Sequence, residues 1–198
     1  SGRALQIVLR AWHRRYQRLP DAVIIEGPLC GGHMGFSYEQ LATPATVPIT
    51  TILKDVRAVL APFEAAYGRR VPLIGAESLV TTDDVLAMLA LGFDGVQIGT
   101  RFICTDECIA HANYKQMIVQ ANERATLVTG VSLGHPVRCI RNPMAREFER
   151  LEKSGATEEE IVAFGGGKLR AAALEGDVQN GSVMAGQVFQ SMPLLLSA

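Results

Sequence analysis

Three short apolar runs, Ala22–Ile25, Val71–Ile74 and Asp94–Ile98, each give way to a loop carrying glycine, and stretches with helical spacing lie between them. Runs of this length bounded by turn residues read as buried strands, and strands separated by helices lie parallel in one sheet. This restricts the chain to an α/β fold. In parallel α/β proteins ligands gather at the carboxyl ends of the strands. Three such ends are readable: Glu26–His33, Gly75–Ser78 and Gly99–Thr100.

The helical stretches fit this frame. Ala4–Leu19 places Leu5, Val8, Ala11, Trp12, Tyr16 and Leu19 at helical spacing, with Arg10, Arg14, Arg15 and Arg18 on a solvated face. Ile52–Tyr67 reads as a helix interrupted near Pro62. Thr81–Asp84 is a helix start, with the helix running over Val85–Leu91 to Gly92. A further helix is expected over Asn113–Asn122. Beyond residue 125 the pattern changes. Thr126–Val131 reads as extended, and Pro143–Lys153, Glu158–Phe164, Lys168–Leu174 and Gly186–Leu195 read as helices.

Composition narrows the function classes. The 198 residues carry a net charge of −1, which gives no general reason to expect nucleic acid or an acidic membrane as partner. No apolar run approaches the roughly 18–20 residues that span a bilayer. Arg3 and Arg10 within a helical pattern argue against a signal peptide. Cys30, Cys104, Cys108 and Cys139 form no Cys-x-x-Cys pair. Cys104 and Cys108 could share a helix face near His111 as metal ligands. Reduced thiols in a cytoplasmic protein are the preferred reading, with no metal expected.

The first strand end holds the most chemistry. Glu26-Gly-Pro-Leu-Cys-Gly-Gly-His-Met-Gly35 joins a buried strand to adjacent glycines and a histidine. Glycine lets backbone approach a ligand, and His33 can hold or release a proton near neutral pH. Gly99-Thr100 is suited to an anion, through close backbone N–H groups and a hydroxyl. No Walker motif or Gly-x-Gly-x-x-Gly fingerprint is present, so a nucleotide site of those kinds is not supported. His111 and His135 lie outside the three junctions, and His13 on the opening helix reads as structural.

Asp21–Gly35 resembles the Gly-Gly-His segment of the FMN-dependent nitronate monooxygenases (2-nitropropane dioxygenases) and the related flavin enoyl-ACP reductases. Leu91-Gly-Phe-Asp-Gly-Val-Gln-Ile-Gly-Thr-Arg-Phe102 resembles their phosphate-binding junction, and Ala110–Lys115 is also similar. Gly134–Asn142 and Glu175–Gln187 look most like the enoyl reductase branch. The resemblance runs from about Asp21 to Gln187.

It implies a partial TIM (β/α)8 barrel over residues 1–125, with a mostly helical tail or lid over 126–198. Val23–Ile25, Leu73–Ile74 and Val96–Ile98 would be the equivalents of strands 6, 7 and 8, and FMN would sit at the carboxyl face. His33 would be the acid–base residue. Glu26 and Gly31 would line the flavin, Ala76, Glu77 and Ser78 would follow strand 7, and Gln97, Ile98, Gly99 and Thr100 would meet the ring edge and phosphate.

Two departures from the family pattern stand out. Ala76-Glu77-Ser78 replaces the usual Ala-Gly-Gly. A carboxylate about 5 Å from a phosphate charge costs roughly 3 kcal/mol at an effective dielectric near 20, so Glu77 is expected to point away. Strands 1–5 also have no counterpart, whereas such barrels run to about 250 residues. The chain is therefore expected to be a fragment, to associate with the missing N-terminal half, or to form a rearranged homo-oligomer. The implied activity is oxidation of nitronates, which are carbanion-like small molecules, by O2. The alternatives are NAD(P)H-dependent enoyl-ACP reduction and a non-catalytic scaffold with an incomplete flavin site.

Overall fold

The computed structural model describes residues 1–122 and 124–187. In chain order the elements are α1 (Gly2–Tyr16), β1 (Val23–Glu26), β2 (Gly32–His33), α2 (Tyr38–Ala42), a 3-10 turn (Pro44–Thr46), α3 (Ile49–Tyr67), β3 (Leu73–Ala76), α4 (Thr82–Ala90), β4 (Gly95–Val96), α5 (Thr100–Ile103), α6 (Ala112–Val119), β5 (Thr126–Thr129), β6 (Val137–Ile140), α7 (Pro143–Ser154), α8 (Glu158–Gly165) and α9 (Lys168–Ala173). They form two compact units. One comprises Ser1–Pro28 and Thr43–Gln97, the other Leu29–Ala42 and the chain from Ile98 onward.

The first unit carries the expected parallel sheet, ordered β1-β3-β4. Val23 pairs with Leu73 and Glu26 with Ala76, while Gly75 pairs with Val96. The third strand is shorter than the sequence suggests. Gln97 still donates its N–H to the Gly75 carbonyl at 2.9 Å, and the ladder then ends. Asp94 ties β4 to β3, accepting from the Leu73 N–H at 2.9 Å while its own N–H donates to the Leu73 carbonyl at 2.8 Å.

α3 runs unbroken through Pro62. An interior proline costs about 3 kcal/mol, so neighbouring contacts must hold the turn beyond it. His13 of α1 supplies them, with its Nδ1 hydrogen-bonded to the Tyr67 hydroxyl at 2.7 Å and its ring edge-on to Phe63 and Tyr67. His13 is structural, as read. α1 itself ends earlier than read, at a left-handed Gln17 rather than at Pro20.

The second unit holds an antiparallel sheet, ordered β2-β6-β5. The extended segment at Thr126 and the helices α7, α8 and α9 were legible, but β2 corrects the reading of Gly-Gly-His as a loop, and β6 is a strand that the sequence did not reveal. Pairing with a distant segment makes them strands. Gly32 lies opposite Arg138, His33 opposite Val137, and the Met34 N–H donates to the Pro136 carbonyl at 2.9 Å. One sheet face packs Leu127 and Cys139 against Met144 and Ala145 of α7, with Phe148 and Phe164 alongside.

Buried Asn142 fixes the start of α7. Its Oδ1 accepts from the Ala145 N–H at 2.8 Å, and its Nδ2 donates to the carbonyls of Val178 and Gly181, both at 2.7 Å. The helix expected over Gly186–Leu195 is not formed at Gly186 and Gln187, and the rest of that span lies outside the described residues. Among the described residues no helix is long and apolar enough to cross a membrane.

Candidate functional site

In the first unit the strand tips behave as one structure. The Gly27 N–H donates to the Ala76 carbonyl at 2.9 Å, which extends the β1–β3 ladder past the last paired residues. Glu26 and Gln97 are exposed at their strand ends, whereas Ala76 is buried. The Glu77 carboxylate folds back over Gly27, where any Cβ would collide with it. A glycine at 27 is thus what gives this acid a place to lie. Ser78 adopts φ 44°, the left-handed region that favours glycine.

In the second unit Gly31 has a packing role. A Cβ at this position would strike the backbone of Ala185 and Gly186. The same two strands of chain are joined by the Gln187 N–H donating to the Leu29 carbonyl at 2.9 Å. Thr100 belongs to this contact too, its Oγ1 accepting from the Gly186 N–H at 3.0 Å and leaving its hydroxyl proton to donate elsewhere. Gly99, just before Thr100, is exposed and faces open space, with nothing within 4 Å of where a Cβ would stand. Ile98 is half-buried.

His33 occupies a position that the sequence did not disclose. Because His33 and Thr129 both pair with Val137, the three form a row across β2, β6 and β5. Directly paired residues in an antiparallel sheet project to the same face. All three line a cavity of about 300 Å³ within this unit. Helices close the other side through Met144, Phe148 and Ile161. His33 is exposed at the sheet edge, while Met144 and Ile161 are buried, so the cavity runs from a histidine at its mouth into an apolar interior.

Thr129, Val137 and His135 are the site residues that sequence reasoning missed. His135 also lines the cavity, although it lies outside the three strand junctions. Only the pairing partner of His33 could have found them, and that pairing is non-local.

The opposite sheet face presents Arg138, which is 4% exposed. Its guanidinium donates to Thr126 Oγ1 at 3.2 Å and Gln187 Oε1 at 3.3 Å. Burial lowers its pKa, and the neighbouring Cys30 and Cys139 oppose that shift. Burial also pushes the Cys139 thiol up to about 11. None of the four cysteines is joined in a disulfide. His111, the third member of the Cys104/Cys108 group, caps α6 by accepting from the Asn113 N–H at 3.1 Å and packs its ring on Gly176. Among the described residues no group of three or more acids, histidines and cysteines could hold a metal ion.

Comparison with known proteins now adds to this geometry. The family model for nitronate monooxygenase matches residues 2–198. The chain belongs to the nitronate monooxygenase family. A probable nitronate monooxygenase of Bacillus subtilis (strain 168) is 29% identical over 176 residues, covering 89% of this chain and 48% of that protein. One from Staphylococcus saprophyticus is 33% identical over 132 residues, 67% of this chain and 35% of that protein. The α/β fold is similar to that of FabK from Thermotoga maritima, with a TM-score of 0.73 and 32% identity over 96% of this chain and 54% of that one. It is also similar to the nitroalkane oxidase of Streptomyces ansochromogenes, with a TM-score of 0.67 and 25% identity over 98% and 52%.

The chain spans about half or less of the length of these relatives. The Glu77 carboxylate lies over Gly27, and Ser78 has a φ of 44° in the left-handed region.

Proposed function

We propose that this chain is the C-terminal part of a flavin-dependent oxidoreductase that oxidises alkyl nitronates with O2. Family membership supports the reaction class, and the observation that carries the assignment is His33 at the mouth of an apolar cavity. Each unit has groups that suit an FMN phosphate: in the second, Gly99 is open and Thr100 keeps a donor, and in the first, Ser78 has a left-handed turn. By the family resemblance, Ala76, Glu77, Ser78, Gln97, Ile98, Gly99 and Thr100 would hold the cofactor, and Glu26 and Gly31 would line the flavin. When bound, the flavin supplies the path for electrons from a nitronate to O2.

His33 is the acid–base group. At the substrate carbon an imidazole base can take the α-proton of a neutral nitroalkane, leaving its electron pair on the nitronate, or return a proton to that carbon. The apolar wall behind it excludes water from that carbon. The partial-barrel reading belongs to the same proposal. β1 and β4 are the outer strands of their sheet, and Ile24 of β1 is 54% exposed, so further strands would pair at these edges and cover that side chain. Four cysteines outside any disulfide are compatible with a reducing, cytoplasmic setting.

His33→Ala is expected to lower nitronate turnover by about 10²–10⁴ while the absorbance of bound flavin stays. Turnover equal to the parent protein removes His33 from the reaction. Reduction of an enoyl thioester by NAD(P)H is the second reading, carried by Gly134–Asn142 and Glu175–Gln187. Anaerobic addition separates the two: NAD(P)H bleaches the flavin of a reductase, whereas nitronate alone bleaches that of a monooxygenase.

A further inference from the structure

We propose that the cavity behind His33 seats the alkyl chain of the substrate, making the protein selective for chain length; the proposal rests on the nitronate reading above. Three observations lead there.

The first is polarity. Beyond the mouth the walls are Leu133, Val137, Met144, Phe148, Ile161 and Met184. Lys168, Arg170 and His135 also border the space, but Lys168 is half-buried and the other two are exposed, so they stand at its rim. Lys168 places its ammonium 4.8 Å from the Phe164 ring centroid, and Arg170 Nε donates to Glu175 at 3.3 Å. No buried residue of the lining carries a cationic side chain, so nothing in the interior calls for a second anionic group on the ligand.

The second observation is size. At about 30 Å³ for each water-sized group, roughly ten such groups fill the cavity of about 300 Å³. A two-carbon substrate leaves most of that volume unfilled, while a six-carbon substrate with its nitro group occupies most of it. The third is direction. His33 and Val137 are paired neighbours, one exposed and one half-buried, and the wall continues to fully buried Ile161. A chain attached to a carbon at His33 runs inward along β6 towards α8. The reacting end stays with the imidazole and the tail meets a mainly apolar surface, with Thr129 and Ser182 as its buried polar residues.

Binding without turnover tests this. Nitroethane, 1-nitrobutane and 1-nitrohexane are titrated calorimetrically into the protein under anaerobic conditions. Each methylene that leaves water is worth about 0.8 kcal/mol, or up to fourfold in Kd, so nitrohexane should bind on the order of a hundredfold tighter than nitroethane. Val162→Trp on α8 projects bulk into the cavity from a residue that is 56% exposed, and it should flatten this dependence so that nitrohexane loses at least tenfold. Leu133→Trp, on the β5–β6 turn, makes the same test from the opposite wall if the first variant does not fold. Equal affinities along the parent series, or a parent-like slope in the folded tryptophan variant, overturn the proposal. A steep slope in a protein that turns over no nitronate keeps the alkyl pocket and removes the assigned reaction. Turnover with a flat slope does the reverse.

Discussion

Gly31→Ala isolates the packing role of the Gly-Gly-His segment from any part in cofactor binding. The added methyl would overlap the backbone of Ala185 and Gly186, and even the Ala185 Cα lies only 2.8 Å away. Carbon atoms rest at about 3.5–4.0 Å, so the two segments must separate by roughly 1 Å. That displacement stretches the hydrogen bonds Gln187 N–H to Leu29 carbonyl and Gly186 N–H to Thr100 Oγ1 from 2.9 and 3.0 Å beyond useful range. Losing two such bonds costs about 2 kcal/mol, and overpacking against backbone adds about 1–3 kcal/mol. Loss of glycine's unfolded-state entropy returns about 0.4–1 kcal/mol. The net cost is about 3 kcal/mol. Gly35→Ala is the internal reference, since nothing lies within 4 Å of its Cβ position and it should gain a few tenths of a kcal/mol. Urea unfolding in the absence of flavin reads both. With a slope near 2 kcal/mol per molar, the Gly31 variant should unfold about 1.5 M earlier than the Gly35 variant. Coincident midpoints would refute the close-approach argument and leave Gly31 with a ligand role alone.

Asn142→Ala removes a helix cap and the donor to two buried carbonyls, and is expected to cost about 3 kcal/mol, seen as a lower urea midpoint at unchanged slope. Ser78→Gly should stabilise by about 0.5–1 kcal/mol, because relief of the left-handed serine outweighs glycine's entropy, whereas Ser78→Val should destabilise; thermal unfolding distinguishes them. Stability should also fall in alkali. Burial raises Cys139 to about 11 and Tyr114 to about 12, so both stabilise the fold fully below their unfolded values near 9 and 10 and lose that contribution as pH rises through the folded values. Tyr114→Phe should remove the upper part of this loss, in a series of unfolding curves between pH 8 and 12, at the cost of the hydroxyl's 2.8 Å bond to the Met184 carbonyl.

The parallel sheet was legible because its strands are locally apolar and end in turn residues, and their partners lie one helix away. β2 and β6 were not. A two-residue strand has no periodicity, and β6 places Arg138 in the middle of its four residues, where a buried charge disguises an interior segment. Both become strands only through each other. The same gap hid the cavity: His33 was visible as a chemical group, but Thr129 and Val137 join it through register alone. Pro62 misled in the other direction, since local chemistry argues for a break and the packing of His13 on Phe63 and Tyr67 overrides it. Glu77 was expected to turn away from an anion, and its observed resting place over Gly27 depends on a neighbouring strand that no single segment reveals.

A site built on a sheet row inherits the sheet's register as a condition of function. A one-residue slip of β2 would place Gly32 or Met34 opposite Val137 and turn His33 to the other face, away from the cavity. Two contacts oppose such a slip, the Met34 N–H bond to Pro136 and the close approach of Gly31 to Ala185. Arg138 opposes the corresponding slip of β6. In register its guanidinium reaches Thr126 and Gln187 on the far face; moved by one residue it would enter the cluster of Leu127, Cys139 and Met144. Burying that charge among apolar side chains costs several kcal/mol, more than the ladder bonds of so short a strand recover. The buried arginine thus selects the register that turns the imidazole towards the cavity, which gives a physical reason for carrying a charge in the middle of an interior strand.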